Sequence, residues 1–153
     1  MQGSATVHMA ATPQQVWDLV SDVTRVGEYS PETFEAEWLD GATGPATGAR
    51  FRGHVKRNEK GPVYWTTCRV SDCEPGRVFE FQVVGAGKVI NTWRYEFAAA
   101  GEGTDVTESF RLQPSLPMRL YWAVAGRFRG KRNNNDIRRS LGRIKTLVEA
   151  PGA

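Results

Sequence analysis

The sequence predicts an α+β fold in which a curved antiparallel β-sheet wraps around one long C-terminal helix, in the order β-α-α-β6-α. Two observations carry this. From Arg50 to Leu112 apolar residues recur at every second position, and from Leu116 to Val148 at every third or fourth (Leu116, Leu120, Ala123, Ile137, Leu141, Ile144, Val148). Period two means strands with one buried face, and the later spacing means a helix with an apolar stripe. Short glycine-containing turns separate the strand-like stretches, which marks an antiparallel meander. A sheet closed by one helix in this way can enclose a cavity.

The elements follow in order. Ala5 to Ala10 forms the first strand, with Val7 and Met9 on one face. Thr12-Pro13 starts a helix, a hydroxyl cap followed by proline at the first helical position. Val16, Trp17, Leu19 and Val20 then keep helical spacing to about Ser21, and Asp22 to Tyr29 gives a second short helix. Thr33 to Leu39 alternates Phe34, Ala36 and Trp38 on one strand face, and the glycine-rich Asp40 to Gly48 is a loop. Phe51, Gly53 and Val55 oppose Arg50, Arg52, His54 and Lys56 on the next strand, and Asn58 to Pro62 turns the chain. Strands follow at Tyr64 to Asp72, around Phe79, Phe81 and Val83, around Asn91, Trp93, Tyr95 and Phe97, and around Val106, Glu108, Phe110 and Leu112. Pro114 and Pro117 precede the long helix. Gly126 and Gly130 within it mark either close approach to a ligand or the sheet, or a break near Asn133-Asn134-Asn135.

The 153 residues, 40% hydrophobic and 24% charged, fit one globular domain over residues 1–153. No run nears the roughly 18 apolar residues of a membrane span, and Met1 to Met9 lacks the pattern of an export signal. Cys68 and Cys73 would point to opposite faces of a continuous strand, so both read as free thiols and the expected location is the cytoplasm. The net charge of +3 is uneven. Pro117 to Ala150 holds nine basic residues and two acids, hence +7, which leaves −4 for the rest. Such a helix either shows a solvated outer face or meets the phosphates of nucleic acid or an anionic membrane.

The inward rings Phe51, Phe79, Phe81, Trp93, Tyr95, Phe97 and Phe110, with Trp17 and Trp38, either fill a core or line a pocket for an apolar molecule. Glu108 is the sharpest single candidate, because it falls between Val106 and Phe110 on the buried face. Buried without a partner, its carboxyl would hold its proton and suit a general acid or a hydrogen-bond donor to a ligand. The alternatives are pairing with Tyr95 or an inward arginine, or a bulge that turns it outward. Asn91 at the rim and Asn134 on the helix offer further polar contacts. His8 and His54 alternate outward, and no His/Cys/Asp/Glu set has metal-ligand spacing. Gly85-Ala86-Gly87-Lys88 fits no phosphate-binding motif and joins two strands. No metal, nucleotide or other cofactor is therefore expected.

The stretch ATPQQVWDLVSDVTRVGEYSPET, with GARFRGHVKRN, YWTTCRVSDCEPGRVFEFQV, TWRYEF and GTDVTESF, resembles the polyketide cyclase/dehydrase-type members of the START/Bet v 1-like (SRPBCC, helix-grip) superfamily that are common in actinobacteria. The resemblance spans nearly the whole chain. It implies a hydrophobic cavity between sheet and long helix that takes a lipid, polyketide or other aromatic molecule. Its walls would be Phe51, Val55, Phe79, Phe81, Asn91, Trp93, Tyr95, Glu108 and Phe110, with Leu120, Ala123 and Arg127 from the helix, and Trp17, Tyr29 and Trp38 would close one end. Three functions follow as expectations: an intracellular carrier of a small hydrophobic ligand; an aromatase/cyclase-like lyase with Glu108 and Tyr95 as acid and base; and an interaction module using the basic helix.

Overall fold

The computed structural model describes residues 2–56, 60–113 and 134–152. Seven strands are present among them: β1 (Gln2–Met9), β2 (Thr33–Trp38), β3 (Arg50–Lys56), β4 (Val63–Glu74), β5 (Val78–Gly85), β6 (Lys88–Ala100) and β7 (Gly103–Leu112). Between β1 and β2 lie helix α1 (Pro13–Ser21) and a 3-10 helix (Val23–Glu28), and helix α2 occupies 134–149. The strands form one antiparallel sheet in the order β1-β7-β6-β5-β4-β3-β2. The chain thus meanders from β2 to β7, and β1 closes onto the far edge. Sheet and C-terminal helix together make the helix-grip fold.

Local chemistry explains the early elements. Thr12 caps α1 with a reciprocal pair of bonds: its hydroxyl accepts from the Gln15 N–H at 3.2 Å, and the Gln15 side chain accepts from the Thr12 N–H at 2.9 Å. The buried stripe of α1, Val16, Trp17, Leu19 and Val20, packs on the sheet, and the Trp17 indole N–H donates to the Val78 carbonyl at 2.9 Å. The second short helix is 3-10 and starts from Asp22, whose side chain accepts from the Thr24 N–H. Gly27 lies so close to the Phe34 carbonyl that any Cβ there would collide with the backbone of β2.

Three β-bulges change what period two alone implies. One between Val70 and Asp72 inserts an extra residue in β4, so Cys68 pairs with Val83 and Cys73 with Phe79, both core-facing partners. The two thiols therefore share the inner face instead of opposing each other; both are free. A second bulge, between Thr33 and Glu35, turns Phe34 out of line with Ala36 and Trp38, and its ring packs at a tilt against His54 on the outer face. The third shifts the β5–β6 register between Val83 and Val84. Strand β1 starts at Gln2, earlier than expected, because its pairing with β7 continues to Gln2↔Arg111.

One core joins Met9, Val16, Val20, Phe51, Phe79, Tyr95, Phe97, Val106 and Phe110 to Ile137, Leu141 and Ile144 of α2. That confirms the apolar stripe over its C-terminal part. The start of the predicted helix, from Leu116 to Asn133 with Gly126 and Gly130, lies outside the described residues. At the other end α2 is tied to β1: Glu149 accepts from the Ala10 N–H at 2.7 Å, and Lys145 reaches both Glu149 (2.6 Å) and the His8 carbonyl (3.2 Å). No helix among the described residues is long and apolar enough to cross a membrane.

Candidate functional site

Strand pairing arranges the inner face in rows across the sheet. One row runs Trp38, Phe51, Cys68, Val83, Asn91, Leu112. The next runs Val70, Phe81, Trp93, Phe110, Gly3, and the third runs Cys73, Phe79, Tyr95, Glu108, Ala5. The rings touch within and between these rows: Trp93–Phe110 centroids are 5.2 Å apart and Trp38–Phe51 5.7 Å within a row, and Phe51–Phe81 5.2 Å between two. Burial is graded. Phe79, Tyr95, Val106, Glu108 and Phe110 are buried, whereas Phe81, Val83, Asn91, Trp93 and Leu112 are only partly so. Phe51 and Cys68, in the same row as Asn91, are buried as well, and Cys73 and Ala5, in the row of Glu108, are only partly so.

Glu108 lies where alternation puts it, 2% exposed. Tyr95, directly opposite on β6, donates its hydroxyl to Glu108 Oε1 at 2.9 Å, while Oε2 has no partner. Removal from water pushes the carboxyl up to about 8; the Tyr95 hydrogen bond pulls it down, and the charge of Asp136 adds to the rise. At neutral pH Glu108 is thus mainly a neutral acid, its proton shared between giving and taking roles. Burial, then the Glu108 charge, keep the Tyr95 phenol protonated. Tyr29, also buried, feels the same carboxyl and donates to the Val20 carbonyl at 3.3 Å. Of the alternatives for Glu108, the structure realises the pairing with Tyr95 and leaves one oxygen available.

Other expected residues fall into place unevenly. Phe51, Phe79, Phe81, Trp93 and Phe110 share the inner face, and Asn91 holds its rim with a buried, unpartnered Oδ1. Val55 is buried on the same side but stands apart from the main core cluster. Trp17 and Trp38 do not close one end together, because Trp17 bonds to Val78 at the start of β5 while Trp38 packs on Phe51. Asn134 is exposed, with its side chain against Gly3. Leu120, Ala123 and Arg127 lie outside the described residues. Sequence reasoning missed Asp136, which is partly buried and close enough to act on Glu108. Its signal was being one of only two acids among the nine basic residues of that segment.

The rest of the surface is built from paired charges. His8 and His54 face outward, against Asp105 at 2.8 Å and Glu35 at 2.7 Å. Arg94 gathers Asp72, Glu80 and Glu96 on the outer face. A concavity of about 530 Å³ beside it, lined by Ser4, Thr92, Ser109 and Arg111 among others, shares only Gly3 and Phe110 with the inner face. On α2, Arg139 meets Asp136, Arg143 meets the Ser30 carbonyl and Lys145 meets Glu149. Three of the helix cations thus engage this chain itself. Among the described residues no group of three His, Cys, Asp or Glu could hold a metal.

Residues 2–149 match the family described as polyketide cyclase / dehydrase and lipid transport. The chain belongs to this family. The polyketide-cyclase-like protein Cgl2372 from Corynebacterium glutamicum, solved by NMR, is 31% identical over 97% of this chain and 85% of its own, with a TM-score of 0.54. TTHA0849 from Thermus thermophilus superimposes with a TM-score of 0.74 over 100% of both chains at 15% identity. The di-domain ARO/CYC BexL of the BE-7585A biosynthetic pathway gives 0.74 at 19% identity over 99% of this chain and 50% of its own. The last two likenesses establish the fold. No curated protein matches the sequence. Family membership supports a ligand-binding or cyclase role for a polyketide cyclase/dehydrase-family domain, with a small hydrophobic molecule as partner.

Proposed function

We propose that this protein binds a small hydrophobic ligand, a lipid, polyketide or other aromatic molecule, against the inner face of the sheet, and acts as its carrier. The observation that carries this reading is Glu108: a fully buried carboxyl, among aromatic rings, with one oxygen left without a partner. A purely structural polar group at that depth is normally satisfied on all sides, since each orphan costs about 1–3 kcal/mol. Contact with Phe51, Phe79, Phe81, Trp93 and Phe110 would supply affinity at about 25 cal/mol per Å² of apolar surface. Glu108 and Tyr95 would fix orientation.

Native mass spectrometry of the protein purified from its own host tests this directly. A retained small molecule of apolar character is the expected result. Protein that carries nothing, and whose tryptophan emission no apolar aromatic probe alters, would refute it.

One observation favours a second reading, an aromatase/cyclase-like lyase. An acid held near neutrality, hydrogen-bonded to a phenol, can both give and accept a proton at physiological pH. On that reading Glu108→Gln abolishes turnover of a poly-β-ketone substrate while binding persists, and the absence of turnover in the parent protein removes it.

A further inference from the structure

On the outer face of the sheet, strand pairing sets a row of Ser4, Ser109, Arg94 and Glu80 beside a second row of Gln2, Arg111 and Thr92. The short side chains Ser4, Ser109 and Thr92 thus fall among long ones, and the difference in length leaves the concavity of about 530 Å³ that these residues line. Its groups differ from the rest of this face in being unsatisfied. One row further on, the directly opposed Thr6 and Thr107 bond each other at 2.8 Å, whereas Ser4 and Ser109, opposed in the same way, do not. Thr92 is only 5% exposed, yet nothing among the described residues bonds its hydroxyl. Arg50, Arg52, Arg69 and Arg94 of the same sheet each reach an acid or an amide, and Arg111 reaches neither among the described residues.

The two walls are opposite in charge. Arg111 supplies an unneutralised guanidinium on one side. On the other, Arg94 donates to Asp72, Glu80 and Glu96 together, so three carboxylates share one cation and negative charge is in excess. Glu80 is the member of that group that lines the concavity. Its two oxygens accept one bond each, from Ser71 and from Arg94, and each keeps capacity for another. We infer that this concavity is a second binding site, on the opposite face of the sheet from the ligand surface proposed above, and that it takes a free amino acid. The carboxylate goes to Arg111 and the hydroxyls beside it, and the ammonium goes to Glu80. A guanidinium fork matches a carboxylate with two parallel bonds, and serine and threonine hydroxyls donate to the same oxygens. Neither half of the ligand suffices alone. A simple anion is drawn to Arg111 but repelled by the carboxylates around Arg94, and a simple cation meets the reverse. An apolar molecule would leave Arg111 and the three hydroxyls unbonded.

The test is calorimetric titration of the whole chain at pH 7 with each common amino acid in turn, and with acetate and ethylamine as the two half-molecules. At least one amino acid is expected to bind, with each half-molecule weaker than it by about tenfold or more. Arg111→Gln should weaken that amino acid by about tenfold, whereas Arg69→Gln, which removes a charge from the same face outside the concavity, should change it by less than about twofold. Arg111 is exposed, so its replacement leaves the core untouched. Failure of every amino acid to bind at about 10 mM, acetate binding as tightly as the best of them, or equal losses in the two arginine variants would overturn the inference. None of these results bears on the inner face, whose ligand is tested separately above.

Discussion

Replacing Glu108 by glutamine is expected to make the ligand-free protein more stable above pH 5, and the gain should grow with pH. The reasoning starts from the two protonation equilibria. In the unfolded chain Glu108 titrates near its ordinary value of 4.5, whereas burial moves it to about 8 in the folded protein. The folded state therefore holds the proton more tightly. Below pH 4.5 both states are protonated and the carboxyl adds no pH-dependent cost. Between 4.5 and about 8 the unfolded chain gains by ionising while the folded chain does not, so stability falls as pH rises, by about 1.4 kcal/mol per unit. The full interval is worth roughly 5 kcal/mol, and about 3 kcal/mol of it is already lost at pH 7. Against the 5–15 kcal/mol typical of a domain, that is large. Glutamine keeps an oxygen for the Tyr95 hydroxyl and cannot ionise. Urea unfolding of both proteins at pH 4, 5, 6, 7 and 8 reads the effect as the difference between them. The two profiles should diverge from pH 5 and run parallel again above pH 8. Profiles parallel throughout would show that Glu108 is hydrated in the folded protein, and the argument for a buried neutral acid would fail.

Three further outcomes follow from particular contacts. Tyr95→Phe removes the one hydrogen bond that lowers the Glu108 carboxyl, so the folded-state titration of Glu108, followed by carbon NMR of its carboxyl, should move above 8; an unchanged midpoint would contradict the bond. A thiol reagent at pH 8 should modify partly exposed Cys73 well before Cys68, whose thiol is buried and pushed up to about 12, and equal rates at both would contradict that burial. Ala86→Asn should raise stability by about 0.5–1 kcal/mol in chemical unfolding, because Ala86 has φ +50 in the turn between β5 and β6, where asparagine is better tolerated; a loss of stability would refute the strain.

How much of this was legible in the sequence differs between fold and site. The meander from β3 to β7 was readable because one sheet face is buried and the other carries ions, so alternation and turn glycines report the same registers. Bulges are invisible to that reading. The extra residue near Ser71 reverses parity, which is why Cys68 and Cys73 share a face that simple alternation denied them. Phe34 misled for the same reason: a large ring in a period-two pattern reads as core, yet the bulge beside it places it against His54 outside. Glu108 was legible because a carboxyl on an apolar face is a local contradiction, and such contradictions concentrate at functional sites. Asp136 was not, because its effect on Glu108 depends on how α2 packs across the sheet, which no local pattern encodes.

The two orphan oxygens also bear on why the site is not simply a better core. A leucine at position 108 would pack among Phe79, Val106 and Phe110 without the cost of holding a carboxyl away from water. The chain instead keeps Glu108 bonded on one side only, and keeps Asn91 between Val83 and Leu112 with its Oδ1 unbonded. Tyr95 lowers the carboxyl only part of the way, and Asp136 opposes it. A hydroxyl donated by a ligand to the ionised carboxylate would lower it further, so ligand should raise stability most at the upper end of the pH range, where the empty site is weakest. Binding energy and the instability of the empty protein then arise from the same carboxyl.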